Sequence, residues 1–256
     1  MEKNSPGLTG LLHATSVLAV LVAVWQAAKW LFDPPDFLLP GPVDVAGVIY
    51  HQFAHIAFNA LITVQEMVLG LAAGSLLGIA VAVVLASFPA LDRYLMPVVV
   101  TTQTLPVFAI APVLAIWFGL GLGSKIVMAA LIIFFPVASS LYDGLRQTPS
   151  AWLDLGHSWG AGRMQLFRYM RFPAALPALM SGLKVAATIA PIGAVVGEWA
   201  GAAGGLGFVM LQANARTQMD VVFAALIVLA FCAWLLRFAV VKLSDRLTWW
   251  AQHAHG

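Results

Sequence analysis

The sequence predicts an all-α protein, a polytopic membrane bundle of about six crossing helices, on three observations. Of 256 residues, 61% are hydrophobic and 9% charged; ordinary soluble domains are roughly a quarter charged, so this chain could not cover a water-facing surface. The apolar residues gather in runs of about 20, the length that crosses a hydrocarbon core. Lysine and arginine are shared unequally between alternate connecting segments, as they are in polytopic chains. One membrane domain over residues 1–256, with its core at 60–245, is expected.

The first run, Leu11 to Phe32, follows Lys3 as a secretory leader would. Its length, its Trp25, Gln26 and Lys29, and the absence of a small-residue cleavage pattern mark it as a retained span. The second, Ala60 to Ser87, carries Glu66 and repeats glycine at 70, 74 and 78, which lays a smooth ridge along one helix face where a neighbour can approach closely. The third, Leu95 to Phe118, holds Thr101, Thr102, Gln103 and Thr104 before Pro106 and Pro112. The fourth, Lys125 to Tyr142, is short; the fifth, Leu176 to Ala200, contains Pro191, Glu198 and Trp199; the sixth is Val221 to Val241.

Orientation follows from the loops. With the N-terminus inside, the cytoplasmic segments hold Lys3, Arg93, Arg146, Arg163, Arg168, Arg171, Lys242 and Arg246, whereas the segment from Asp33 to Asn59 has no lysine or arginine and three aspartates, Asp33, Asp36 and Asp44. Both termini are therefore expected in the cytoplasm. Lys125 and Arg216 are the outward exceptions, near span ends where a long side chain can reach the interface.

Composition also excludes functions. A formal charge of +2 with no basic run gives no footprint for nucleic acid. Cys232 is the single cysteine, so there is neither an intramolecular disulfide nor a cysteine metal site. His51 and His55 share a helix face, and His253 and His255 form a second pair, but no carboxylate accompanies them; they read as solvated flanks. The glycine stretch at 201–207 lacks the Lys-Ser/Thr of a phosphate-binding loop and follows a span on the outer side. No nucleophile, base or metal constellation is visible, so no enzymatic site and no cofactor are expected.

The longest polar stretch on the inner side, Asp143 to Ala175, has helical signals of its own. Pro149 and Ser150 mark a start, Trp152, Leu155 and Trp159 recur at helical spacing, Gly156 and Gly160 fall on neighbouring turns, and Arg163, Arg168 and Arg171 precede Pro173, which is expected to stop the run. The pattern reads as a short amphipathic helix, a glycine turn and a second helix. Such helices can lie on lipid headgroups or can dock a soluble partner.

The spacing within this stretch resembles the "EAA" loop of ABC importer permeases. Asp154 stands at the acidic position, Leu155 and Gly156 at the two alanines, Gly160 at the glycine, and Met170, Arg171, Phe172 and Pro173 at the closing Ile-x-Leu-Pro. The resemblance extends through "LLPGPVDV", "TLPVFAIAPVLAIWFGLG", "FFPVASSLYDGLR" and "GEWAGAAGGLGFVMLQANAR", a sequence of features similar to permeases of the sulfonate, nitrate and taurine type. Within that group, "APIGAVVGEWAG" followed by "GLGFVMLQANARTQMDVVFAAL" looks most like permeases for the hydroxymethylpyrimidine or aminomethylpyrimidine precursor of thiamin.

The resemblance implies an inner-membrane subunit that binds no ATP itself. It would work with a cytoplasmic ATPase subunit docked on a coupling helix at the loop, a periplasmic or lipid-anchored substrate-binding protein, and a second permease; with no internal repeat in the chain, the pair is expected to be two identical copies. Candidate pathway residues are the polar and aromatic ones that spans rarely carry: Glu66, Gln103, Thr104, Pro191, Glu198, Trp199, Asn214 and Arg216. Glu66 has a second reading, a carboxylate satisfied by a neighbouring span. The threonines and prolines equally serve helix packing, and Trp199 equally reads as an interfacial anchor.

Alternatives of function remain at this stage. The ligand could instead be a sulfonate, taurine, nitrate or a riboflavin-like compound. An ion-coupled secondary transporter is less well matched, because no inverted repeat is visible and such a protein has no use for the loop at Asp154 to Pro173.

Overall fold

Runs of leucine, alanine and valine without an alternating pattern fold as helices here, and the computed structural model describes residues 8–104 and 106–251, with side chains from residue 15 onward except at residue 89. Lys3, Leu105 and the His253/His255 pair lie outside the described residues. In chain order the helices are α1 (Leu8–Phe32), α2 (Pro42–His51), α3 (Phe53–Ser87), α4 (Pro89–Thr101), α5 (Val107–Phe118), α6 (Leu122–Arg146), α7 (Ser150–Ser158), α8 (Arg163–Leu166), α9 (Phe172–Trp199), α10 (Leu206–Ala215) and α11 (Met219–Leu247). A 3-10 turn, Thr102–Thr104, follows α4, and a π turn, Phe167–Arg171, joins α8 to α9. There is no strand among the described residues.

The core is built on α6, which lies between α3 and α9. The glycine ridge explains the first seam: a Cβ on Gly70 would stand 2.4 Å from Ala129 Cβ, one on Gly74 2.8 Å from Ile133, and one on Gly78 2.5 Å from the Phe134 carbonyl oxygen. The second seam uses the same device, with Gly182 against the Pro136 carbonyl oxygen and Gly193 against Ala129. Small residues let the backbones approach, which is how helices associate where lipid gives apolar surface no reason to leave it. Ile133, Val137, Leu141, Ala186, Ala187 and Ala190 fill the space between the helices. Helix α11 closes one side against α9 and α10, and α1 touches the bundle through Trp25, whose ring stacks on Phe223 at 5.5 Å and whose Nε1 donates to the Pro40 carbonyl at 3.0 Å.

Five helices are long and apolar enough to cross a bilayer among the described residues. The expected third span differs: it is two helices meeting at 98°. Pro106 has an extended backbone and no N–H to give the preceding turn. Thr101, Thr102 and Thr104 donate back to the carbonyls of Pro97, Val99 and Thr101 at 2.7, 2.6 and 2.8 Å, supplying the carbonyls at the break with local donors. The second span begins earlier than expected, at Phe53: His55 in its first turn is exposed, while Asn59 in the next is buried and donates to the His55 carbonyl at 2.9 Å, so the helix continues through a polar residue.

Pro173 does not stop the run. The helix from Arg163 continues to Trp199, and the π turn is the reason. Phe172 N–H reaches back to the Phe167 carbonyl, the wider i to i−5 spacing, so the ladder changes register at the position where proline has no hydrogen to offer.

Candidate functional site

Two places gather the residues singled out in the sequence: the loop at α7–α8, and the opposite or far end of the bundle, where α3, α6 and α9 meet the start of α10.

At the loop, Pro149 is extended and its carbonyl accepts from Trp152 N–H at 3.1 Å, starting α7 at Ser150. The end of α7 is a glycine cap of the Schellman kind. Gly160 has φ +76, its N–H donates to the His157 carbonyl at 2.9 Å, and Ala161 N–H donates to the Gly156 carbonyl at 3.0 Å. The next helix starts with Gln165 Oε1 accepting from Gly162 N–H at 2.9 Å. Gly156 is buried because Leu166 and Met170 fold back on it; a Cβ there would meet Leu166 Cδ2 at 2.3 Å. That contact accounts for glycine where an alanine stands in the EAA pattern. Arg171 fixes the return of the loop, donating from Nε and Nη2 to the Leu145 carbonyl at 3.3 and 3.0 Å.

Trp152, Leu155 and Trp159, in contrast, are 54%, 48% and 74% exposed, and Asp154 and Arg163 are exposed beside them. The loop is folded by its glycines and by Leu166 while its large apolar side chains point away. Pro173 belongs to the first turn of α9 and not to the loop surface.

At the far end lies a buried polar cluster. Helix α10 has no capping side chain of its own, and its first amides are satisfied from other helices. Gly205 N–H donates to Asn59 Oδ1 at 2.8 Å and Leu206 N–H to Thr63 Oγ1 at 2.8 Å. Gly207 and Phe208 N–H both donate to Glu198 Oε2, the latter at 3.2 Å, and Thr63 Oγ1 donates to Glu198 Oε1 at 2.6 Å. Asn59, Thr63 and Glu198 thus do collectively what an N-cap does locally. A carboxylate at this helix start is also favoured by the helix dipole. The end of the glycine stretch is explained here too: Gly207 gives its amide to an internal carboxylate, and a Cβ on Gly205, whose φ is +110, would stand 2.2 Å from Glu198 Oε1.

Glu66 sits beside this cluster, fully buried, and pairs with Lys125 Nζ at 2.5 Å; its other oxygen, Oε2, has no partner. Glu66 thus has a cation from the neighbouring helix α6 on one oxygen and no partner on the other. The expectation for Lys125 is corrected. Its side chain is 8% exposed and turns inward to Glu66 instead of reaching the interface, because a buried carboxylate without a cation would be far costlier than a lysine drawn in after it.

The other candidate pathway residues are scattered. Gln103 and Thr104 are exposed at the break between α4 and α5, and Pro191 is buried within α9. Trp199 is 45% exposed, donates from Nε1 to the Gly207 carbonyl at 2.9 Å and lies 6.5 Å from the Phe108 ring. Asn214 and Arg216 are exposed at the end of α10. Asn59, Thr63 and Lys125 escaped sequence reading as members of one site. The available signal was the spacing of Asn59, Thr63 and Glu66, which puts three polar side chains on one face of an apolar helix.

Comparison with known proteins fits this architecture. Residues 74–248 match the family of binding-protein-dependent transport system inner membrane components. A probable ABC transporter permease protein of Haemophilus influenzae is 43% identical over 239 residues, covering 93% of this chain and 98% of that protein. The formylaminopyrimidine transport permease protein ThiX of Halalkalibacterium halodurans is 32% identical over 240 residues, covering 93% of this chain and 96% of that protein. The fold is also that of a chain in the inward-facing MetNI methionine ABC transporter, with a TM-score of 0.67 at 21% identity, covering 77% of this chain and 98% of that one. The helical bundle, its glycine-capped loop and these matches together make the chain a member of the binding-protein-dependent inner membrane component family, a non-enzymatic permease subunit of an ABC importer.

Proposed function

We propose that the chain forms, as a pair of identical copies, the membrane pathway of an importer for a thiamin pyrimidine precursor of the hydroxymethylpyrimidine or aminomethylpyrimidine kind. An ATPase subunit sits on α7 and a substrate-binding protein on the far end, with both termini and the loop in the cytoplasm. The observation that carries the docking is the exposed face of Trp152, Leu155 and Trp159 on a helix whose own fold is completed without them. Large apolar side chains at the tip of a loop that also bears Arg163 and Arg168 suit a protein groove, since a few such anchors supply most of the energy of an interface. Closure of paired ATPase subunits on ATP would draw the two loops together and open the far side.

The ligand rests on the likeness to ThiX across nearly the whole chain. The exposed ring of Trp199 beside Phe108 is suited to stacking a planar heterocycle on its way through. Uptake of radiolabelled hydroxymethylpyrimidine by cells with and without this chain tests the ligand. Loss of that uptake is the expected result; undiminished uptake, with loss of taurine, nitrate or riboflavin uptake instead, would replace the ligand and leave the mechanism. Replacing both tryptophans, Trp152→Asp with Trp159→Asp, is expected to leave a folded, membrane-inserted permease that no longer retains its ATPase subunit on purification. Retention at the parent level would overturn the docking.

A further inference from the structure

We propose that Asp92, Tyr142 and Arg146 are positioning residues that tie the broken span α4–α5 to the docking loop, so that displacement of α7 is carried to α4. The proposal rests on the reading of α7 as the ATPase-docking helix and extends it to a route.

The geometry is local. Asp92 lies in the first turn of α4, while Tyr142 and Arg146 stand one turn apart at the end of α6, Arg146 being its last residue. Tyr142 Oη donates to Asp92 Oδ2 at 2.6 Å, Arg146 Nη1 donates to Tyr142 Oη at 2.6 Å, and Arg146 Nη1 lies 3.5 Å from Asp92 Oδ2. The guanidinium also sits over the Tyr142 ring, 5.4 Å from its centre. Only Gln147, Thr148 and Pro149 separate Arg146 from α7.

The last turn of α6 is thus a junction. On one side Arg171 holds the Leu145 carbonyl and brings the loop's return against it; on the other, Tyr142 and Arg146 hold Asp92; α7 leaves between them. Helix α4 otherwise rests on the core through Met96 and Val99, and an open groove of about 690 Å3 separates it from the end of α6, with Asp92, Tyr142 and Arg146 themselves in its lining. An apolar contact of that kind lets one helix slide on another, whereas a directional, charge-assisted bond does not. Beyond Asp92 come Pro97 within α4, the Thr102–Thr104 turn and the 98° bend, so displacement at Asp92 acts on the least regular part of the chain.

The tie is built unlike the buried Glu66–Lys125 pair. Tyr142 is buried, but the Asp92 side chain is 22% and the Arg146 side chain 62% exposed, and Asp92 Oδ1 is left without a partner. Two groups, the Tyr142 hydroxyl and the Arg146 guanidinium, converge on one carboxylate oxygen with water at hand. Such a joint sets direction without locking two helices together for good, which is what a moving connection requires.

The test uses the permease assembled with its ATPase subunit in lipid nanodiscs, with Cys232→Ser and spin labels at Tyr94→Cys on α4, Ser158→Cys on α7 and Ser181→Cys on α9 as reference. Distances are measured with and without vanadate-trapped nucleotide. In the parent both α4 and α7 are expected to shift against α9. In Asp92→Asn and Tyr142→Phe the α7 shift stays, while the population showing the α4 shift falls on the order of tenfold, as expected for loss of one charge-assisted bond; Asp92→Glu restores it. If α4 follows α7 in both variants as in the parent, the tie is refuted. It is equally refuted if both variants fail to assemble with the ATPase subunit, because the residues would then be holding the fold. A parent complex in which α7 stays still overturns the docking reading itself, and the tie with it.

Discussion

Glu198 is the residue on which the far end depends. One of its oxygens takes the hydroxyl of Thr63 and the other takes two backbone amides of α10, so the helix start is anchored through a single side chain from α9. Glutamine at 198 keeps one acceptor and loses the charge; a bond to a charged group contributes about 1.5–3 kcal/mol, and a loss of that order is expected in the thermal stability of the detergent-solubilised chain. Gly205→Ala should cost at least as much, because its φ of +110 strains any other residue and the added carbon would meet Glu198. Lys125→Met is expected to be worse than either, at about 3–5 kcal/mol, since it leaves Glu66 buried without a cation. The double variant Lys125→Met with Glu66→Gln should recover much of that loss in the same measurement, which distinguishes an unpaired charge from a cavity. The individual polar residues were visible in the sequence, but their pairing was not: Glu66 and Lys125 are 59 positions apart, and no local rule links them.

Among the elements, the helices were legible wherever a run of apolar residues had the length of a bilayer and a glycine ridge to pack by. Gly74→Leu is expected to block assembly of the bundle, seen as aggregation on size-exclusion chromatography, because even its Cβ would lie 2.8 Å from two carbons of Ile133. Substitution at Gly47, where nothing lies within 4 Å, should leave the elution profile unchanged and serves as the control. The loop was legible for a different reason: Gly160 and Pro149 are punctuation whose backbone consequences are fixed by sterics. The bend in the third span and the continuity of the fifth were not. Each depends on how a proline is accommodated, at Pro106 by a break and at Pro173 by a widened turn, and the choice is made by neighbouring hydrogen bonds that the sequence does not display.

For the whole molecule, charge asymmetry between loops is a statement about topology that the bundle itself does not carry. A cysteine placed at residue 160 is expected to react with a membrane-impermeant thiol reagent only from the cytoplasmic side; labelling from outside would invert the arrangement of every segment. The architecture divides the chain into a rigid part, α3, α6 and α9, packed through glycine, and a peripheral part, α1, α4 and α5, with most of its large side chains exposed. Sequence reading found the first part because close packing leaves a compositional trace. The second part leaves its large side chains without packing partners inside the chain, so no pattern within one sequence fixes what each of them meets.

The uninterrupted helix from Arg163 to Trp199 has one mechanical consequence. Its 37 residues make a rod of about 55 Å that begins at the loop, ends at the Glu198 anchor, and is pinched near mid-length where Gly182 meets the Pro136 carbonyl. The same close contact continues outward, with Gly193 against Ala129 and Gly197 against Lys125, so the loop and the small helix fastened at the other tip hang from one seam and a load taken at either end is shared along its length.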